Sequence, residues 1–183
     1  EIIAHMMGEN TGKKFDWVPR EYDKEGPDLL RVEHLKINDR INDISFSLKK
    51  GEILGFAGLM GSGQTEILET LFGLRKKEEG TVLRNGSAVT VRNPSEAIRN
   101  GFALIPEDRR KQGLVLIHSV KENAILPKIK QLTRHGFVDE KKAEEMVEDN
   151  VKKLNIVTDD IHKRINLLSG GNQQKVVIAK WMN

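Results

Sequence analysis

A glycine-rich stretch, Gly58-Leu-Met-Gly61-Ser62-Gly63-Gln64-Thr65, separates an apolar run at 52–57 from a segment at 65–72. In that segment Ile67, Leu68, Leu71 and Phe72 fall on one helical face, with Gly73 as the stop signal. The junction therefore reads as buried strand, tight loop and helix, and it constrains the fold more than any other feature. Glycines in such a loop let successive backbone N–H groups converge, and the helix start adds positive potential, so the loop suits a phosphate. A glycine turn serving only close strand–helix packing has the same spacing. Both readings are open at this point.

The chemistry of the loop is mixed. Thr65 stands where a phosphate-binding loop places its Mg²⁺-ligating hydroxyl, but Gln64 occupies the lysine position of that pattern. A neutral amide lacks the point charge that lysine sets against β- and γ-phosphates, so backbone holding is retained and fast hydrolysis is not expected.

The surrounding pattern is α/β. Leu29 to Leu35 and Ile44 to Leu48 alternate as half-buried strands, and Asn85-Gly86 marks a hairpin between 81–83 and 88–91. Phe102 to Ile105 reads as another strand. Pro94 to Asn100 reads as a helix entered through Asn93, and Ser119 with Glu122 forms a capping-box pattern. Asp139 to Leu154 is amphipathic, with Ala143, Met146, Val147, Val151 and Leu154 inward. Residues 1–27 are polar and rich in chain breakers, as a tether is, and 28–183 carry the domain pattern.

A second anion-binding candidate opens the last helix: Leu168-Ser169-Gly170-Gly171-Asn172-Gln173-Gln174-Lys175. Ser169 is an N-cap type, and two glycines expose N–H groups at a positive helix end. An ordinary capped helix accounts for Ser169 and one glycine, not for the whole string.

That string resembles the signature motif of ABC transporter ATPases, and its Asn-Gln-Gln-Lys continuation is similar to the ribose, galactose and xylose importer branch. In that branch the ATPase subunit has two fused nucleotide-binding halves, and residues 28–183 resemble the second. The resemblance implies a P-loop NTPase core of α/β class with an antiparallel hairpin region and a helical subdomain at about 113–170. Gly58, Gly61, Ser62, Gly63, Gln64, Thr65 and Glu66 then correspond to a degenerate ATP-binding loop, with Thr65 at Mg²⁺. Leu168, Ser169, Gly170, Gly171, Asn172 and Gln173 correspond to the signature that completes the opposite ATP site. Glu107, within Pro106-Glu107-Asp108-Arg109, falls where related proteins carry the Q-loop glutamine. Residues 1–27 become the linker between halves.

The implied partners are a first nucleotide-binding half in the same polypeptide, transmembrane permease subunits and, indirectly, a sugar-binding protein, at the cytoplasmic face of the membrane. No Asp-Glu pair ends an apolar run before Asn183, so the Walker B strand, its glutamate and the switch histidine are expected outside this sequence. The fragment alone is accordingly expected to be inactive.

Composition trims the rivals. Thirty basic against 27 acidic residues, interspersed to a net +3, leave no basic stripe for nucleic acid. With no cysteine, thiolate chemistry is excluded, and no histidine has metal-ligand spacing; residues 5, 34, 118, 135 and 162 read as surface or packing positions. A regulatory nucleotide-binding module, a soluble ABC ATPase in DNA repair or translation, and an unrelated phosphate-binding enzyme remain as alternatives. The expectation for Glu107 to Lys111 taken alone is a solvated turn.

Overall fold

The structure is a computed structural model describing residues 21–182. Most of the expected linker, including Trp17 and His5, lies outside the described residues. Over those residues the chain forms two compact units, 21–64 with 77–90 and 65–76 with 91–182.

The smaller unit is an antiparallel sheet of order β2-β1-β3-β4, with β1 Asp28–Lys36, β2 Ile44–Lys49, β3 Glu79–Arg84 and β4 Ser87–Ala88. Val32 pairs with Phe46 on one side and Val82 on the other. Val32, Leu35, Ile41 and Val82 form its buried apolar set. The Asn85-Gly86 turn has φ of 49° and 76°, the double left-handed geometry that makes Asn-Gly the strongest short hairpin signal. Strand β1 is irregular near His34 (φ 51°), and Gly80 of β3 sits against that kink with φ 100°. A Cβ at Gly80 would lie 2.6 Å from the His34 carbonyl oxygen and 2.7 Å from Leu35 Cα, so backbone meets backbone there.

Two expected strands do not form. Residues 52–57 and 102–105 carry no strand pairing among the described residues and belong to no regular element. Ile53 is 74% exposed and Ile105 47%. The apolar content is strand-like, but a strand exists only with a ladder partner, and the antiparallel sheet offers neither segment one. The run at 52–57 is therefore not buried; its anchor is Phe56, whose ring meets Phe46 edge-to-face at 5.0 Å.

The larger unit begins at Thr65, the second residue of α1 (Gln64–Leu71). Ile67, Thr70, Leu71 and Phe72 are buried, whereas Leu68 is 43% exposed, so the expected apolar face is narrower by one residue. Gly73 ends the helix at φ 77°, with its N–H on the Thr70 carbonyl. Helix α2 (Pro94–Arg99) begins as its sequence predicts: Asn93 Oδ1 accepts from the Glu96 N–H at 3.0 Å, and proline takes the first turn.

After a π-helical turn at Arg109–Gly113 come α3 (Val120–Ile125), α4 (Ile129–Leu132), a short hairpin β5 (Thr133–Arg134) and β6 (Phe137–Val138), α5 (Glu140–Lys153) and α6 (Gly170–Ala179). The core joins α3, α5 and α6 through Val120, Ala124, Val147, Ile165, Val176 and Val177. Met146, Val151 and Leu154 pack against it only partly buried. Asn123, fully buried on α3, accepts from the Val115 N–H and donates to the Val115 and Ser119 carbonyls, bracing the turn before the helix.

The capping box at α3 is complete. Ser119 Oγ accepts from the Glu122 N–H at 3.1 Å, and the Glu122 carboxylate accepts from the Ser119 N–H at 2.7 Å. These bonds, the backbone one foremost, hold the Glu122 carboxyl below the usual glutamate range. A depressed folded pKa stabilises above the unfolded value and is lost as pH falls through the folded one. Ser119→Ala is expected to cost about 1 kcal/mol at neutral pH in a urea melt, with only part of the difference lost in acid, because the leading bond to the Glu122 carboxylate comes from the Ser119 backbone N–H and survives the substitution. A difference that vanished in acid would give the whole effect to the hydroxyl's contact with the carboxylate.

Candidate phosphate loop and signature helix

The glycine loop is shaped by its backbone. Gly61 (φ 79°) and Gly63 (φ 108°) adopt left-handed conformations that favour glycine. Between them the chain turns tightly, with the Ser62 N–H on the Leu59 carbonyl at 3.0 Å. Gly63 lies on Ile41, and a Cβ there would stand 2.5 Å from the Ile41 Cδ1. Ile41 is itself fixed by an Asx turn in which Asn38 Oδ1 accepts from the Arg40 and Ile41 N–H groups. Leu59 and Met60 are almost wholly exposed at the loop's tip.

Gln64 does not point away from this loop. Ser62 Oγ donates to Gln64 Oε1 at 2.8 Å, and the Gln64 amide nitrogen would lie 2.7 Å from a Cβ on Gly58. The amide thus folds back across the loop between Ser62 and Gly58. Thr65, the second residue of α1, is exposed, and Glu66 is half-buried.

Within the larger unit, the Leu168–Gln173 string is organised as a capped helix start. Ser169 is the N-cap of α6. Its Oγ accepts from the Asn172 N–H at 3.5 Å and the Asn172 side-chain amide at 3.0 Å. Asn172 Oδ1 in turn accepts from the Val157 N–H at 2.9 Å, tying the cap to the preceding loop. Gln173 is buried and donates to the Ile165 and Leu168 carbonyls, so two of the string's polar residues serve architecture. Gly171 faces open space, while a Cβ on Gly170 would lie 2.7 Å from the Arg109 Nη2. Gly171 is exposed, and Gly170 is half-buried against the Arg109 guanidinium.

Glu107 is exposed and makes no hydrogen bond among the described residues. Its neighbour Asp108 does the local work. That carboxylate caps the π-helical turn by accepting from the Arg110 and Lys111 N–H groups, and the Lys111 bond leads in holding its pKa down. The charged run 107–111 is the solvated turn the sequence leads one to expect, exposed at every position but Arg109, which is half-buried. Sequence reasoning missed Arg109 and Lys180; each reads as an ordinary surface charge until its contacts on α6 are seen.

Residues 41–183 match a family profile described as "ABC transporter". The chain belongs to the ABC transporter family. It is 43% identical over 182 residues to the ribose import ATP-binding protein RbsA of Geobacillus kaustophilus, and 40% identical over 189 residues to the xylose import ATP-binding protein XylG of the same organism. All of this chain is covered in both alignments, but it spans only 36% and 37% of those relatives. Among solved structures, cbiO1 from Clostridium perfringens, part of the ABC transporter complex cbiONQ, superposes with a TM-score of 0.66 at 18% identity. That match covers 86% of this chain and 62% of the other, and establishes the ABC ATPase fold, an α/β P-loop NTPase. No helix among the described residues is long and apolar enough to cross a membrane.

Proposed function

We propose that this chain is the second nucleotide-binding half of the ATP-binding subunit of a sugar importer, with a weakened phosphate loop and a working signature end. The observation that carries the reading is the Ser169-capped start of α6, where Gly171 is exposed and Asn172 and Gln173 lock the cap in place. Relatives that import ribose and xylose point to a pentose or similar simple sugar.

In this reading residues 1–27 are the inter-half linker, 28–183 the nucleotide-binding part, and about 113–170 a helical subdomain facing permease subunits on the cytoplasmic side of the membrane. ATP with Mg²⁺ is the nucleotide. The loop fits phosphate through the backbone geometry of Gly61 and Gly63, and Thr65 offers an exposed hydroxyl for the ion. Mg²⁺, when bound, neutralises charge on the β- and γ-phosphates. Gln64 supplies no charge and ties back to Ser62, so this loop holds nucleotide weakly. Ser169, Gly170 and Gly171 direct N–H groups at the γ-phosphate of ATP held by the first half, where charge builds during transfer to water. Glu107 takes the Q-loop place as an exposed carboxylate. The fragment by itself turns over no ATP, because its better end serves a partner's nucleotide.

ATPase activity of the reconstituted transporter, measured with a sugar-binding protein loaded with ribose, xylose or galactose, tests the assignment. Stimulation by one sugar is expected; no stimulation by any binding protein would favour a regulatory module without a transport role. At the weak loop, Gln64→Lys should tighten Mg·ATP binding by roughly 1–2 kcal/mol, through a charge-assisted contact and release of the Ser62 tie. Calorimetric titration reads this, and an unchanged affinity would mean that the loop meets no phosphate.

A further inference from the structure

Lys180 is nine-tenths buried at the end of α6, and its Nζ donates to the Gly113 carbonyl at 2.6 Å, 67 residues away. No carboxylate pairs with it among the described residues; the Trp181 ring, 5.7 Å from Nζ, is its other neighbour. Burial pushes the ammonium pKa down, so the position is held against a desolvation cost. The contact it makes closes the π-helical turn Arg109–Gly113 onto α6, and Gly113 packs so tightly that an added Cβ would stand 3.1 Å from the Val177 Cγ2.

At the other end of that turn, the Arg109 guanidinium lies over Gly170. Its Nε is buried without a hydrogen-bond partner, and among the described residues no ion pair holds the side chain, which feels the adjacent Asp108 carboxylate only through its field. Asp108, the adjacent acid, is committed to the N–H groups of Arg110 and Lys111. A cation beside a helix N-terminus is electrostatically unfavourable on its own, because both are positive. An anion that contacts both the guanidinium and the helix start makes the arrangement favourable.

We propose that Lys180 is a positioning residue that clamps the 109–113 turn to α6, so that Arg109 stands at Gly170 as a side-chain contact for the phosphate received there. The inference rests on the reading of α6 as a signature end facing ATP of another half. It adds a guanidinium to a site otherwise made of backbone N–H groups, and it assigns a use to a buried lysine 67 residues from the turn it holds.

The test uses the full-length two-half protein with its permease, comparing Arg109→Gln, Lys180→Met, their double variant, Lys180→Arg and Gly170→Asp. Arg109→Gln and Lys180→Met should each lower kcat about tenfold while KM for ATP stays within about twofold. The double variant should be no slower than either single, since Lys180 acts through Arg109, and Lys180→Arg should recover most of the rate. Losses that multiply in the double variant, or a Lys180→Met loss matched by an equal loss of folded protein in urea melts, would overturn the clamp. Should Lys180→Met not fold, Lys180→Gln, which keeps a donor of shorter reach, carries the same comparison. Wild-type turnover in Arg109→Gln with none in Gly170→Asp would overturn this proposal and leave the signature reading intact. A tolerated Gly170→Asp would remove the signature reading itself, and the present inference with it.

Discussion

Gly170→Asp in the complete transporter should cut ATP turnover by about 10²-fold or more, while ATP binding to the first half in the open state is retained. The variant places a carboxylate at the start of α6, where the proposed γ-phosphate would approach. An added Cβ there would stand 2.7 Å from the Arg109 Nη2, so the fold accommodates the variant by a shift of that flexible side-chain end, and a urea melt alongside the rates checks that it does. Thr65→Ala should do far less, since it touches only the loop proposed to be weak. Turnover rates and nucleotide affinities of the two variants decide between the loops. If Thr65→Ala abolishes hydrolysis and Gly170→Asp does not, the asymmetry runs the other way and this half owns the principal site.

The second large effect is on stability. Gly80→Ala should cost about 3 kcal/mol or more, because φ is 100° and the new Cβ would meet the backbone of Glu33, His34 and Leu35. Gly86→Ala makes an internal control. Its φ is also left-handed, at 76°, but nothing lies within 4 Å of the Cβ position, so about 1 kcal/mol is expected. Urea midpoints measure both. Equal losses would show that backbone conformation alone, and not the close approach of β3 to the kinked β1, sets the cost.

Features decided within a few residues were legible in the sequence. Asn85-Gly86, the Asn93 and Ser119 caps, the Ser169 cap and the Gly73 stop each need only a local turn or one short hydrogen bond, and each formed. The loop around Gly61 and Gly63 was legible for the same reason. Strand character at 52–57 and 102–105 was not, because a strand is a statement about a neighbour, and apolar content cannot name one. Leu68 failed differently: a helical wheel gives a face but not its width. Arg109 and Lys180 were illegible because the sequence gives only their charge. What matters is that one lies on Gly170 and the other reaches Gly113, contacts that arise once α6 packs against the turn. Asn123 and Asn150, buried polar residues, were hidden for the same reason.

The run at 52–57 has a consequence for solvent exchange. Beyond Glu52, whose N–H reaches the Lys49 carbonyl, its backbone N–H groups have no backbone acceptor among the described residues. Such amides should trade hydrogen for deuterium at nearly the rate of an open chain, whereas those of the β1–β3 ladder should be slow. The run is therefore a built-in gauge. Any strand that docks along it, from this polypeptide or from another, would switch a short block of amides from fast to slow exchange, and mass spectrometry of a single peptide would report the docking without a label.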